Sequence, residues 1–486
     1  MARNIDRPST SRTARSRSYA GQGDSARRTA KRKRPSRVTL ARAFSYKVLA
    51  RVQKEDCFLE EAWRHFPDGN RLPEHEKAFA YLLCREVVSR RGTLDELIDS
   101  VLSKPSDIQE PLRIALRISV CELLVLDKPA HVAVDQGVEL VRTIEPKASR
   151  VANFVLRRIA DMKSEFPFGD AASEIRPACA QTGFPLWFGE KLVDEWGLER
   201  AYAFMMRSNE PAPLFFMVNL ARQNGPQTLK HLVSEGVKVV PYQPKGQVVP
   251  PFPLFVFAER KAVAHPKVER LLADGGLVIS DAAAQCVASM AVPSTCPKRF
   301  LEIGAGRGTK SILLQNVALS RFGHQMPLET LDVDSRKQKE RSARLQQAGI
   351  EETASYCCDA TDLSSFDNVL YDAVFIDAPC SGAGTLRRHP DARWRLRKED
   401  IASFKETGLS LLNEAARLVE KGGQLTYATC TVFPEENQEV VREFLKSERG
   451  SHFEITEEFS SEELSSSEAS GPIPDAHFAC VLRRVS

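Results

Sequence analysis

The sequence predicts a multidomain chain: an all-α helical bundle, then a small α/β module, then a doubly wound α/β domain. Three observations carry this prediction. The chain has 486 residues, more than one ordinary domain holds. From about residue 38 to 165, apolar residues return every three or four positions. From about residue 250, short apolar runs alternate with longer helical segments, the pattern of a parallel sheet covered by helices.

Residues 1–37 hold twelve Lys or Arg, only two acids (Asp6 and Asp24) and almost no large apolar side chains. Such a segment cannot bury enough surface to offset its ordering entropy, so a disordered basic tail is expected. The same composition suits an electrostatic arm for RNA or DNA, or an organelle transit peptide. Residues 38–165 form the helical domain. Leu40, Phe44, Val48 and Val52 make one apolar stripe, and "EHEKAFAYLLCREVVSRR" and "EPLRIALRISVCELLVL" repeat the pattern before Pro129 interrupts it. "VAVDQGVELVRTI" and "RVANFVLRRIA" add two more helices of a bundle. Residues 166–250 read as a small module, with a helix after Pro185 and short strands in "LFFMVNL" and "GVKVVPYQP".

Residues 251–486 form the last domain. Its strands are expected in "RFLEIGAG", "LETLDVD", "YDAVFIDAP" and "GGQLTYATC". Continuous apolar runs such as "AVFI" suit parallel strands buried on both faces. "SHFEITEEF" and "HFACVLRRV" are expected to pair antiparallel at the end, around a Ser/Glu-rich loop.

The composition also excludes. No run of 18 apolar residues exists, and no apolar segment follows the start, so neither a membrane span nor secretion is expected. The eleven cysteines show no CxxC spacing, which suits free thiols in a reducing cytoplasm and gives no metal site.

Candidate chemistry gathers at the strand ends. Gly304, Gly306 and Gly308 follow the first strand, where glycine lets the backbone turn tightly and approach a ligand. Ligands of open parallel sheets bind at the carboxyl ends of strands. Asp332 ends the next strand and can accept both ribose hydroxyls of an adenosine, with Asp334 as a competitor two residues on. Asp359, in "YCCDATDL", falls at the third strand end, near where an adenine amino group would sit. The P-loop pattern GxxxxGK[ST] is missing, which disfavours ATP chemistry.

This Gly, Asp, Asp pattern resembles the S-adenosylmethionine-dependent methyltransferases of the Rossmann-like class I fold. At the fourth strand end stands Asp377-Ala378-Pro379-Cys380, an acid with a cysteine close by. That pairing suits methylation at carbon, in which a thiolate first adds to C6 of a pyrimidine. "DAPCSGAG" and "ATCTVFPEENQ" resemble RNA cytosine-5 methyltransferases. The segment "LRIALRISVCELLVLDKPAHVAVDQGVELV" with "RVANFVLRRIA" resembles the RNA-binding helical domain of the antitermination factor NusB. "GLVISDAAAQ", "RRHPDARWR" and "DAHFACVLRR" fit the same grouping. Together, over about residues 38–486, they resemble the Sun/Fmu type, which methylates small-subunit ribosomal RNA.

The resemblance implies roles. Cys430 matches the nucleophile that bonds C6, Asp377 the acid at the cytosine and cofactor, and Cys380 the second cysteine that helps release the product. Gly304, Ala305, Gly306, Arg307, Gly308, Thr309 and Lys310 match the loop for the methionine end of S-adenosylmethionine. Asp332, Asp359 and Asp377 match the cofactor-binding acids. RNA is the implied partner, before full subunit assembly, and nothing calls for more than a monomer. Non-catalytic RNA binding in ribosome assembly and the same chemistry on transfer RNA are the alternatives.

The chain also departs from the family. The loop is "GAGRGTK" where the family has Cys-Ala-Ala-Pro-Gly-Gly-Lys, which leaves the contacts of Arg307 and Thr309 open. Met217 replaces a common arginine and is expected to weaken one RNA contact. Cys357 and Cys358 are expected to be buried and inert. "LRRHPDARWR" is expected to face RNA, with His389 structural or RNA-facing.

Overall fold

The computed structural model describes residues 38–66, 71–244, 248–366, 369–461 and 471–486. The basic tail expected over 1–37 and most of the Ser/Glu-rich loop lie outside the described residues.

The helical domain comprises α1 (Leu40–Glu55), α2 (Leu59–Arg64), α3 (Glu74–Ser89), α4 (Arg91–Ser100), α5 (Glu110–Leu124), α6 (Ala130–Ile144) and α7 (Ser149–Asp161). The expected stripe of α1 turns inward, with Phe44, Val48 and Val52 buried, while Leu40 at its start is exposed. Helix α5 is buried almost all round, which makes it the axis of the bundle. Its Glu122 receives two bonds from Arg42 of α1, at 2.8 and 2.5 Å.

Three further helices follow: α8 (Ile175–Thr182), α9 (Leu186–Trp196) and α10 (Leu198–Arg207). The small module is β1 (Phe215–Val218), α11 (Gly225–Ser234), β2 (Val239–Tyr242), β3 (Leu254–Phe257), α12 (Pro266–Ala273) and β4 (Leu277–Ile279). Its strands pair antiparallel in the order β2-β3-β1-β4. The sheet therefore takes in two strands beyond residue 250, and the boundary expected there cuts through it. The reason is that β1 finds its partners about 40 and 60 residues downstream, beyond the reach of a local pattern.

The last domain runs α13 (Ala282–Ala291), β5 (Phe300–Ile303), α14 (Thr309–Phe322), β6 (Leu328–Leu331), α15 (Ser335–Ala348), β7 (Ala354–Tyr356), β8 (Tyr371–Asp377), α16 (Ala392–Arg395), α17 (Asp400–Arg417), β9 (Val419–Thr429), α18 (Gln438–Leu445), β10 (Phe453–Ser460) and β11 (Phe478–Arg484). The described strands order as β10-β11-β9-β8-β5-β6-β7. From β9 to β7 every pairing is parallel, and β10 and β11 add the expected antiparallel pair. Strand β5 neighbours both β6 and β8, so the order of the strands reverses there and opens a crevice at its carboxyl end, where such sheets bind ligands. Two apolar cores cover the faces, one built with α13 and α14, the other with α17 and α18.

The domains are joined by short-range packing. The ring of Trp394 in α16 lies so close to Gly92 of α4 that a Cβ there would stand 1.9 Å from it. Its indole Nε1 donates to the Ser89 carbonyl at 2.8 Å. The Leu59 backbone N–H donates to the Asp391 carboxylate at 3.0 Å.

Candidate active site

Past Ile303 the chain turns through Gly304, Gly306 and Gly308, with φ of +79°, +54° and +78°. A Cβ at Gly304 would sit 2.4 Å from the Asp377 carbonyl oxygen, so only glycine lets the ends of β5 and β8 meet. Asp332 braces the loop from β6. One carboxylate oxygen accepts from the Gly306 N–H at 2.8 Å and the other from the Asp334 N–H at 2.9 Å. Asp334 caps α15 by accepting from the Arg336 and Lys337 backbones, and these bonds hold its carboxyl below the usual range. The two acids that competed in the sequence thus divide into a loop brace and a helix cap.

Helix α15 pins the loop from below. Arg341, fully buried, donates to the Gly306 carbonyl at 3.2 Å and to Glu352 at 3.1 Å. Arg307 pairs with Glu340 at 2.6 Å, and Thr309 Oγ1 accepts from Arg344 at 2.7 Å. The two unusual loop residues are therefore engaged by helix α15. Asp359 lies exposed just past β7 and accepts from the Thr361 N–H and hydroxyl, which lowers its pKa. The Asp332 N–H bonds to the Tyr356 carbonyl, so these two strand ends are tied.

Strands β8 and β9 stay in step beyond their ends, because the Ala378 N–H bonds to the Ala428 carbonyl at 2.9 Å. This brings Cys380 and Cys430 together, with Sγ atoms 3.4 Å apart. Both are free and half-buried. Lys310, the last loop residue, places Nζ 2.6 Å from the Asp377 carboxylate. The hydrogen bond from Cys380, then the Lys310 charge, lower the Cys430 thiol against the effect of burial. The same bond, burial and the charge on Cys430 push Cys380 well up. Burial works against the Lys310 ammonium, but Asp377 and the neighbouring sulfurs outweigh it and raise its pKa. Both effects favour negative charge on Cys430 over Cys380.

One buried acid clips both cysteine segments. Glu436 accepts from the Ser381 N–H at 2.7 Å and from the Thr431 hydroxyl at 3.1 Å, the residues that directly follow Cys380 and Cys430. Those two residues also share a hydroxyl–hydroxyl bond of 2.7 Å. Asn437 holds the Thr431 carbonyl at 3.2 Å. Sequence patterns assign this segment no role, and the signal for one is an acid pair directly behind a proline and close to Cys430. His477 likewise has no assigned role in the sequence. The pairing of Phe478 with Thr429 sets His477 alongside Cys430, and burial pushes its imidazole down to about 4. Glu302, in the strand before the loop, is also buried, and desolvation pushes it up to about 8.

In the loop after Cys380, only the last residues correct the expectation of an RNA-facing surface. Arg387 and Arg388 bond Asp475 at 3.0 and 2.5 Å, and Arg388 also reaches Asp281 at 3.1 Å. Arg393 is buried, with its guanidinium 4.2 Å from the Phe184 ring centroid. Arg395 bonds Asp56 at 2.8 Å. From Arg393 to Arg395 the segment is a joint between domains, because α16 is wedged between the helical bundle and α8–α10. His389 is exposed and lies edge-on to Phe58. Cys357, expected to be buried, is exposed, with Sγ 3.6 Å from the Val333 carbonyl. The short β7 at the sheet edge leaves it uncovered. Met217 is buried in the core beside α13, so its side chain offers no surface to RNA.

Comparison with known proteins agrees with this architecture. Residues 39–161 match the NusB family, and residues 293–479 match the family described as 16S rRNA methyltransferase RsmB/F. Ribosomal RNA small subunit methyltransferase B of Xanthomonas campestris is 30% identical over 378 residues, covering 76% of this chain and 80% of that protein. The probable ribosomal RNA small subunit methyltransferase B of Bacillus subtilis is 25% identical over 412 residues, 84% of this chain and 88% of its own. The crystal structure of PH0851 shares the fold, with a TM-score of 0.70 at 20% identity over 92% of this chain and 99% of its own. A NusB domain fused to a Rossmann-like methyltransferase domain, matched along most of its length, places the chain in the ribosomal RNA small subunit methyltransferase B family.

Proposed function

We propose that the chain methylates C5 of a cytosine in small-subunit ribosomal RNA through a covalent bond between Cys430 and C6. The observation that carries this reading is the pair of facing sulfurs, with charge favoured on Cys430 over Cys380, beside the Lys310–Asp377 ion pair. An amine methyltransferase has no use for such a pair.

S-adenosylmethionine supplies the methyl group. The glycine turn fits it: a Cβ on Gly306 would meet nothing nearer than 3.8 Å, so the loop leaves open space above the strand ends. Gly304, Ala305, Gly306, Arg307, Gly308, Thr309 and Lys310 would line its methionine end, with Asp332, Asp359 and Asp377 toward the nucleoside. Arg307 and Thr309 contribute by fixing the loop on α15.

The protein's own residues then act in order. The target base leaves its stack and enters beside Cys430. The Cys430 thiolate forms the bond to C6, and electron density moves to C5, which takes the methyl group. A proton passed from Lys310 through Asp377 relieves the charge that develops at N3, and it returns to the pair on elimination. Water takes H5 as a proton, the C5–H electrons re-form the C5–C6 double bond, and the C6–sulfur bond breaks to release the Cys430 thiolate, to which the Cys380 thiol can donate. A cytoplasmic monomer acting on RNA before the subunit is complete suits this chemistry, since the base must be reachable.

Cys430→Ala is expected to abolish methyl transfer, and Cys380→Ala to accumulate a protein–RNA adduct on a denaturing gel. If Cys430→Ala kept turnover while Cys380→Ala lost it, the two roles would be exchanged.

A further inference from the structure

We propose that an open cleft of about 440 Å³, where the helical bundle, the small module and the catalytic domain meet, binds the RNA backbone phosphates next to the target base. The inference rests on the reading of the chain as an RNA methyltransferase and names where that RNA is held.

Four arginines line the cleft, with Glu60 of α2 also on its wall: Arg85 on α3, Arg260 just past β3, and Arg387 and Arg388 in the loop after Cys380. Arg85, Arg260 and Arg388, one from each part, are held by carbonyl oxygens of one short segment. Arg85 donates to Asn209 at 2.9 Å and Glu210 at 3.1 Å, Arg260 to Ala212 at 2.6 Å, and Arg388 to Pro213 at 3.3 Å. That segment reads Asn-Glu-Pro-Ala-Pro, and its two prolines have no N–H to donate. A carbonyl fixes the direction of a guanidinium and leaves its charge in place. Asp475 and Asp281 offset Arg388, and Glu86 lies 3.6 Å from Arg85. No ion pair of Arg260 with a carboxylate is found among the described residues. Burial, then the charges of Arg85 and Arg388, depress the Arg260 pKa. Like charges crowded around an open space are relieved when an anion enters.

Geometry selects RNA as that anion. The Gly384 N–H bonds to the Cys430 carbonyl at 3.0 Å. Arg388 follows four residues later, which limits its separation from Gly384 to roughly 14 Å of extended chain. The cleft therefore borders the place where the base is taken up. Its fork-shaped donors match phosphate oxygens, and the exposed Leu82 on its wall offers an apolar surface to a sugar or base.

The test uses the full chain and an unmodified small-subunit ribosomal RNA transcript, with affinity measured across a range of salt concentrations. Arg260→Met is expected to weaken binding several-fold and to reduce the salt slope by about 0.7 for the lost phosphate contact. Arg260→Lys restores most of the slope. Leu82→Glu, which leaves the carbonyl segment untouched, is expected to weaken binding in the same direction. S-adenosylmethionine affinity by calorimetry serves as the control for fold. Wild-type affinity and slope in Arg260→Met and in Leu82→Glu would overturn the cleft assignment. A wild-type protein that neither bound nor methylated the transcript would instead overturn the functional reading beneath it.

Discussion

Replacing Cys380 by alanine should change the ionisation of Cys430, by an amount that the structure sets. The Sγ atoms are 3.4 Å apart, and the Cys380 hydrogen bond is the largest influence lowering the Cys430 thiol. A hydrogen bond to a charged group contributes about 1.5–3 kcal/mol. About 1.4 kcal/mol is tenfold in an equilibrium, so losing the donor should raise the Cys430 thiol and cut its thiolate population roughly ten- to hundredfold at a fixed pH below the midpoint. The assay is the rate of iodoacetamide alkylation against pH, without RNA or cofactor, with the Cys430 peptide quantified by mass spectrometry. The midpoint should move upward in Cys380→Ala and much less in Cys380→Ser, whose hydroxyl still donates. The Cys430 N–H also points at the Cys380 sulfur, at 3.4 Å, which by itself favours charge on Cys380. A Cys430 midpoint that stays put or falls in Cys380→Ala would show that this contact prevails and that the resting thiolate sits on Cys380.

Substitutions at three other positions probe the frame of the site. Gly304→Ala puts a Cβ against the Asp377 carbonyl at a φ of +79°, so S-adenosylmethionine affinity should fall at least tenfold by calorimetry. Glu436→Ala leaves the Ser381 N–H and the Thr431 hydroxyl without their acceptor, at about 1–3 kcal/mol each, measured by denaturant unfolding. Glu436→Gln should lose less, and a fully stable alanine variant would contradict the clip. Glu302, pushed up to about 8 by burial, keeps its proton in the folded chain when the unfolded chain has released it. Stability should therefore fall as pH rises from the unfolded value near 4.5 to about 8, and Glu302→Gln should flatten that part of the profile.

What the sequence revealed follows from which forces are local. The α1 stripe and the continuous runs of β5 and β8 were legible, because helix and strand periods are written in neighbouring residues. Gly304, Asp332 and Asp377 were legible because each ends a strand, and strand ends of such a sheet share one edge. The partnership of Cys380 with Cys430 was suggested only by resemblance, since fifty residues and the register of β8 on β9 separate them. Arg388 belongs to a loop that the sequence expects to face RNA. Its partners Asp281 and Asp475 lie 107 and 87 residues away, and no spacing rule joins them. For the same reason the burial of Arg393 against Phe184 is not legible in that basic segment.

The indole of Trp394 pressed onto Gly92 has a further consequence for substrate choice. With no room for even a methyl group at that joint, the helical bundle stands at a set offset from the thiol pair. On the proposed mechanism such a fixed offset would make the protein a calliper. An RNA held on the bundle would offer Cys430 the nucleotide at the matching separation, and selection would measure distance as well as read bases.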